Sequence, residues 1–238
     1  KFGSLAERLI HKFQFKEVSI KVAGTFSQLI KPWKEHIIDT STPLQEIYSQ
    51  ALEIGDFEFA SHALNTLSYH GYFVGKELEA LQESIFIYSK TIKQIKQKRI
   101  FYWNEIYRQT ILNLLNYFEE PSTLNGDAYN EKETMQLHIE TNDGIALLSL
   151  YVCKLQLCYL FGKYAEASIN AIKAEHYLYG GFAKIITPQV YLYDSLTRLA
   201  IYPEASKSKQ KDFIEIVAAN QVKMQHWANH APMNFLHK

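Results

Sequence analysis

The sequence predicts an all-α protein, built as a superhelical array of antiparallel helix pairs that is a tetratricopeptide-like (TPR-like) α-solenoid. Three observations predict this class. Apolar residues recur at helical spacing along most of the chain, no segment alternates with period two, and one turn pattern occurs twice. The 6 prolines and 10 glycines are also few for an all-β protein of 238 residues. At the usual repeat length, the chain should hold about ten to twelve helices.

The clearest helix pair spans residues 44–75. Its first helix carries one apolar stripe at i, i+3, i+4, i+7 and i+8, formed by Leu44, Ile47, Tyr48, Ala51 and Leu52. Pro43 suits the first turn of that helix. Ala60, Ala63, Leu64 and Leu67 then form the inner stripe of the second helix. Two such stripes favour helices folded back on each other.

A turn joins these two helices. Gly55 permits the left-handed backbone that closes a helix, and Asp56 can cap the next one. The residues that match the turn and second-helix opening of a tetratricopeptide repeat are Gly55, Asp56, Phe57 and Ala60. The second copy of this pattern is Gly162, Tyr164 and Ala167. Because the two glycines are 107 residues apart, about three periods of ~34 residues, degenerate repeats are expected between them.

The other elements follow from apolar spacing and from glycine and proline positions. An N-terminal lead-in is expected over residues 1–40, with a helical stripe at Leu5, Leu9, Ile10 and Phe13 and a second at Phe26–Trp33. The further predicted helices are Leu78–Ile95, Phe101–Phe118, Glu131–Thr141, Ile145–Phe161, Tyr164–Tyr179, Pro188–Leu199 and Phe213–Ala228. Loops are expected at 121–127 and 203–210. We expect one domain over 1–238, cut from a longer protein, since the chain starts at Lys1 and a helix begins at Pro232.

Composition bounds the classes of partner and the cellular compartment. Lys plus Arg and Asp plus Glu both number 25, so the formal net charge is zero, and general nucleic-acid or membrane binding is not expected. No apolar run reaches the ~20 residues of a membrane span, and no signal peptide is visible. The spacing of Cys153 and Cys158 fits neither a CxxC pair nor a zinc pair, so we interpret them as reduced core thiols. A cytoplasmic location is therefore expected.

No motif in the chain predicts catalysis, a cofactor or a metal. The segment Gly71–Glu77 has too few residues between its glycines for a phosphate loop and an acidic residue after the lysine. His226 and His230 have a chelating i, i+4 spacing, but no third ligand is near them in sequence. No nucleophile elbow or HExxH run is present. The chain itself is therefore predicted not to be an enzyme.

Two surfaces remain as candidates for binding. Aromatic residues that could line a concave peptide groove are Tyr48, Tyr69, Trp103 and Tyr107, although aromatic residues at helical spacing are more often core. The basic residues around the end of the Leu78–Ile95 helix are Lys90, Lys93, Lys96, Lys98 and Arg99. They could meet an acidic partner or nucleic acid. A solvated helix face is the simpler interpretation for a neutral chain.

Several segments of the sequence carry a family resemblance. They are Trp33–Thr40, Gly75–Leu78, Ile106–Leu115, Gly126–Tyr129, Leu157–Gly162, Tyr193–Ala200, Ala218–Gln221, Met224–Ala228 and Ala231–Lys238. Together they resemble the helical-repeat region of large cyanobacterial and related bacterial signalling proteins. Those proteins combine a serine/threonine kinase, an AAA/STAND-type ATPase, this helical region, GAF sensor domains and a histidine kinase. The resemblance covers nearly the whole chain, and none of the family's catalytic motifs falls within it.

The resemblance implies a non-catalytic interaction and regulatory module of a signal-transduction kinase. It would bind a protein partner or neighbouring domains of the same chain and so control ATPase or kinase output. The alternative is a small-molecule sensor with a ligand pocket inside the superhelix. A third hypothesis is an enzyme whose site no motif reveals. A fourth is self-association through an exposed repeat face.

Overall fold

The computed structural model describes residues 16–116 and 119–238, together with residues 5, 8, 9 and 12. Within these ranges the backbone forms eleven α-helices and four short 3₁₀ helices, and its one β feature is an isolated bridge between Asn125 and Asn130. The predicted all-α class is confirmed for this part of the chain. The predicted stripe at Leu5–Phe13 falls largely outside the described residues, as does the predicted helix end at Phe118.

The helices follow the predicted order closely. They are α1 Lys16–Leu29, α2 Ser41–Glu53, α3 Phe57–Phe73, α4 Leu78–Gln94, α5 Lys98–Leu115, α6 Glu131–Glu140, α7 Gly144–Leu160, α8 Tyr164–His176, α9 Ile186–Ile201, α10 Lys207–His230 and α11 Pro232–Phe235. The predicted loop at 203–210 is wrong in its second half, because α10 already begins at Lys207. Ser206 caps that helix by accepting a hydrogen bond from the Lys209 amide at 3.5 Å. The loop was predicted because the first residues of α10 are polar and give no apolar helical spacing.

The helices group into two compact units, Lys1–Asn104 and Glu105–Lys238. The predicted single domain stays a prediction. In the first unit, α1 packs on α2 and α3, α2 packs on α3, and α3 packs on α4. Helix α3 is the centre of that core, since 11 of its 17 residues are buried. A helix that is buried on most of its circumference must have neighbours on several sides.

The second unit repeats this pattern of contacts. Helix α7 packs on α6, α8 and α9, while α9 also packs on α8 and α10. Of the 17 residues of α7, 13 are buried. Helix α7 therefore has the central position that its continuous apolar sequence predicts.

One type of turn closes five of these helices. Each turn has a residue with positive φ, namely Gly55, Gly75, Lys96, Asn142 and Gly162, with φ of 76°, 78°, 61°, 49° and 73°. The amide of the following residue donates to the carbonyl four residues before the left-handed one, as Asp56 does to Ala51 at 2.8 Å. This 6→1 hydrogen bond is that of the Schellman motif. The predicted left-handed turns at Gly55 and Gly162 are thus observed.

These turns also set the spacing of the helices. The left-handed residues lie 20 and 21 residues apart from Gly55 to Gly75 to Lys96, and 20 apart from Asn142 to Gly162. Two helices therefore occupy about 41 residues in the first unit. That is longer than the ~34-residue period on which the predicted register between Gly55 and Gly162 depended. Helices of 17 and 18 residues, such as α3 to α5, account for the difference.

Candidate functional site

The residues predicted at the repeat turns have clear structural positions. Asp56 caps α3, because its Oδ1 accepts a hydrogen bond from the Phe59 amide at 3.1 Å. Ala60 and Ala167 are each fully buried at 0% exposure. The absence of side-chain bulk there allows close approach of neighbouring helices. Phe57 is exposed and Tyr164 is half-buried, so neither is a core residue.

The four aromatic residues predicted to line a groove are not brought together on one surface. Tyr48 is half-buried, whereas Tyr69, Trp103 and Tyr107 are each only 3% exposed. Trp103 lies against His62, with 5.7 Å between ring centroids. The Tyr107 hydroxyl is 3.1 Å from Ser149 Oγ in the second unit. Three of the four side chains therefore pack in the interior, as core aromatic residues do.

Tyr69 illustrates the chemical effect of this burial. Its ring packs edge-on against His70, with 4.7 Å between centroids. Burial raises the pKa of Tyr69 to about 12, although hydrogen bonding to Gln28 and Thr66 opposes that shift. The phenol is therefore neutral over the physiological pH range.

A small pocket opens between α1, α2 and α3 in the first unit. Its volume is about 160 Å³, and its lining is Gly24, Thr25, Gln28, Leu44, Ile47, Glu58, Phe59, His62, Ala63 and Thr66. His62 Nε2 lies 3.9 Å from Glu58 Oε1 at the exposed side. Phe59 contacts the same imidazole, with 6.2 Å between centroids. The combination of aliphatic walls and a few polar groups is typical of small-ligand sites, although this pocket is smaller than most of them.

Buried polar contacts join α3, α4 and α5 in the first unit. Ser68 Oγ donates to Asn104 Oδ1 at 2.6 Å, and Asn104 Nδ2 donates to Ser89 Oγ at 2.8 Å. Thr40 Oγ1 and His70 Nδ1 are 2.8 Å apart nearby. Sequence periodicity did not identify Ser68, Ser89 or Asn104, because short polar side chains on an inner face give no apolar signal. The contacts satisfy one another and therefore indicate a structural role.

The loop after α5 is held in place by amide side chains of that helix. Gln109 Oε1 accepts hydrogen bonds from the Ala128 and Tyr129 amides at 3.0 and 3.2 Å. Asn113 Nδ2 donates to the carbonyls of Pro121 and Thr123 at 2.9 and 2.8 Å. The loop predicted at 121–127 is thus held by defined contacts, and the carbonyls of Pro121 and Thr123 are paired inside the second unit.

The two cysteines are free thiols in the core of the second unit, as predicted. Both are 0% exposed. Burial raises the pKa of the Cys153 thiol to about 12 and also raises that of Cys158. Asn170 Nδ2 donates to Cys158 Sγ at 3.5 Å. Neutral, enclosed thiols of this kind are poor nucleophiles and poor metal ligands.

His226 and His230 are exposed on α10, with 4.5 Å between ring centroids. His230 Nδ1 is 2.8 Å from the His226 carbonyl oxygen, so this nitrogen is engaged with the backbone. Across residues 16–116 and 119–238, no group of three His, Cys, Asp or Glu side chains is placed to hold a metal ion. The two histidines alone supply too few ligands for a stable site.

A basic surface forms where α4 ends and α5 begins. Lys90, Lys93, Lys96 and Lys98 are all exposed. None of these four ammonium groups forms an ion pair with a carboxylate in the described part of the chain. Arg99 is also exposed, with its guanidinium 5.1 Å from the Trp103 ring centroid. We call Lys90, Lys93, Lys96, Lys98 and Arg99 the basic corner.

The comparisons with known proteins leave the family of this chain open. No protein-family model, curated protein or solved structure matches it. None of the helices in the described ranges is both long enough and apolar enough to cross a membrane. The function is therefore argued below from the geometry of the helices and from the exposed surfaces.

Proposed function

We propose that this chain is a non-catalytic helical-repeat module that binds a protein partner or a neighbouring domain. The observation that carries the proposal is the recurrence of one helix-turn unit, with its 6→1 hydrogen bond, at five turns. In α1 to α3 and in α7 to α9, each helix packs on the following helix, and the first also packs on the third. A solenoid is expected to have such contacts between helices that are near in sequence. A TPR-like array is part of this proposal.

Such an array stabilises itself through contacts between successive helices and leaves its outer faces free for binding. Helix α8 has two large apolar side chains on its outer surface, Ile169 and Ile172, at 54% and 63% exposure. Val222 on α10 is 73% exposed. Exposed apolar residues rimmed by polar ones are common at protein interfaces.

The link to signalling rests on the family resemblance. In a multidomain kinase with an ATPase domain, the module would bind one arrangement of its neighbours more tightly than another. A partner that prefers the second arrangement would shift the population and change the kinase or ATPase output. The size of the change is limited by the difference in affinity between the two arrangements.

The test is a direct binding measurement. Residues 1–238 would be titrated calorimetrically into the kinase and ATPase domains encoded in the same gene, each expressed alone. We expect micromolar binding to at least one domain and a change in its ATPase or phosphorylation rate on addition of the module. No heat with any domain, together with unchanged rates, would reject the regulatory role. A gene that encodes no such domains would reject the link to kinases.

The pocket between α1, α2 and α3 favours a second candidate function, a small-molecule sensor. A ligand present at about 100 times its dissociation constant should stabilise the fold by about 2.7 kcal/mol. Thermal melts against a metabolite library, nucleotides included, would detect it. We expect the shift to disappear in His62→Leu and to persist in His36→Leu, because His36 lies outside the pocket. A shift that survives His62→Leu would place the ligand elsewhere.

A further inference from the structure

The basic corner lies in a segment whose charged residues are all positive. Between Ser84 and Asn104 there are five cations and no Asp or Glu. Since the chain as a whole has zero net charge, this concentration is local and is not a property of the composition. Four exposed lysines without ion pairs leave their charge available to an incoming ligand.

Side-chain contacts make the corner one continuous surface. Phe86, Lys90 and Lys93 follow each other at i, i+4 and i+7, so they share one face of α4. Lys93 Nζ lies 5.9 Å from the Phe101 ring centroid, which joins this face to α5. The Phe101 and Tyr102 centroids are then 5.9 Å apart, and Lys98 Nζ is 6.0 Å from the Tyr102 ring. Cations and aromatic rings are therefore interspersed across both helices.

Helix stability explains only part of this charge. Lys90 and Lys93 near the C-terminus of α4 interact favourably with the helix dipole. Lys98 and Arg99 occupy the first turn of α5, which contains no acidic residue, and there the dipole disfavours cations. Lys96 adopts a left-handed backbone at φ 61°, where the sister turns have Gly or Asn. The residues at this turn therefore do not optimise the stability of the fold. Their presence favours a role in binding.

The neighbouring carboxylates limit the size of an anionic ligand. Glu77, Glu79 and Glu83 lie at or near the start of α4. On the other side, Gln97 shares a shallow depression with Glu17, Asp56 and Glu58. A long polyanion such as nucleic acid would extend beyond the corner and meet these carboxylates. A short acidic segment can stay on the lysines, and the exposed side chains Phe86 and Ile87, at 39% and 61%, offer apolar contacts.

We propose that the basic corner binds a short acidic, partly apolar polypeptide segment of a partner or neighbouring domain. This inference rests on the proposed function, because it names the class of partner that the helical module takes. Carboxylates of the segment pair with Lys90, Lys93 and Lys98, while an apolar side chain of the segment packs against Phe86 and Ile87. The pairs are exposed, so the affinity falls as salt is added.

The test uses the whole chain and a defined probe. The probe is a fluorescein-labelled peptide of Glu, Asp and Leu, with a peptide of Gln, Asn and Leu as its uncharged counterpart. Binding is followed by fluorescence anisotropy at several salt concentrations. We expect the triple variant Lys90→Gln, Lys93→Gln, Lys98→Gln to raise the Kd for the acidic peptide about tenfold or more, as the loss of three charge pairs implies. Because all three lysines are exposed, circular dichroism should show an unchanged fold.

A matched control changes the same number of charges on another helix. Lys207, Lys209 and Lys211 are also exposed, at the start of α10. Their triple replacement by Gln should leave the Kd within about twofold, since these lysines are not part of the basic corner. The uncharged peptide should bind weakly to every variant.

Three outcomes would overturn the inference. Absence of binding to the acidic peptide is the first, and equal loss in both triple variants is the second. The third is tighter binding of oligothymidine of matched length, or of anionic lipid vesicles, through the same lysines. The proposed function can fail separately. A chain that binds the acidic peptide at the corner but none of its neighbouring domains would keep this surface and lose the regulatory role.

Discussion

Lys96 has a left-handed backbone that is poorly suited to its side chain. Its φ is 61°, a conformation that costs an L-residue about 1–2 kcal/mol. Replacement by glycine removes this cost, but the greater freedom of glycine in the unfolded chain offsets part of the stabilisation. We therefore expect Lys96→Gly to raise the free energy of unfolding by about 0.5–1 kcal/mol. Denaturant titration with a shared m-value measures it.

The reverse change at a sister turn is the control for Lys96→Gly. Gly55 has φ of 76°, and a Cβ there would meet no atom within 4 Å, so only the backbone term changes. Gly55→Ala should lower the free energy of unfolding by about 1 kcal/mol. If Lys96→Gly destabilised the protein, the lysine side chain would have a stabilising contact that outweighs its backbone conformation.

At the scale of the element, helix α3 depends on its cap. Asp56 Oδ1 accepts from the Phe59 amide at 3.1 Å, and an unpaired amide would remain after truncation. We expect Asp56→Ala to lower the free energy of unfolding by about 1 kcal/mol, and Asp56→Asn to lower it by much less, since asparagine is an equally good cap. Thermal and chemical denaturation of both variants check this. Equal losses in both would assign the effect to the negative charge.

Helix α4 has a cap that responds to pH. Two backbone amides, of Ala80 and Glu79, donate to the Glu77 carboxylate at 2.7 and 2.8 Å, and they hold its pKa below the usual range. The pKa of Glu77 is therefore lower in the folded state than in the unfolded state. The stabilisation by this cap is fully present at pH values above the unfolded-state pKa, and it is lost as the pH falls through the folded-state pKa. NMR titration of the Glu77 side chain should show the depressed pKa. In a protein unfolded by urea, the shift should vanish.

At the scale of the molecule, the two thiols report on the opening of the second unit. Both are fully buried, and burial raises the pKa of Cys153 to about 12. We expect neither thiol to react with Ellman's reagent in the native protein at pH 8, and both to react once guanidinium unfolds it. An exposed cysteine introduced by Lys207→Cys should react at once. Fast labelling of a native thiol would show that the core of the second unit opens readily.

Most of the helices and turns could be predicted, because they depend on residues within one or two helical turns of each other. Gly55, Asp56 and Gly162 have the backbone roles that their sequence pattern indicates. The missed start of α10 has a local signal too, a serine followed by four residues that are polar but helix-compatible. The repeat period was harder to predict, because it depends on the lengths of the helices. Apolar spacing defines the ends of a helix poorly.

The candidate site was less predictable than the helices. Apolar spacing marks the inner face of an isolated helix, but α3 and α7 are enclosed on most sides by other helices. Tyr69, Trp103 and Tyr107 are therefore core residues, although their aromatic character equally suited a groove. The basic residues were visible in the sequence, whereas their continuity with Phe101 and Tyr102 required the contact between two helices.

The sequence by itself determined the all-α class, the left-handed turns at Gly55 and Gly162 and the helix cap at Asp56, because each arises from hydrogen bonds and sterics among near neighbours. Only the tertiary structure decided which faces are buried. At Gly180, for example, a Cβ would lie 2.3 Å from the Gly144 carbonyl oxygen, a close approach between segments distant in sequence. Burial is set by such contacts, and they depend on how whole helices pack.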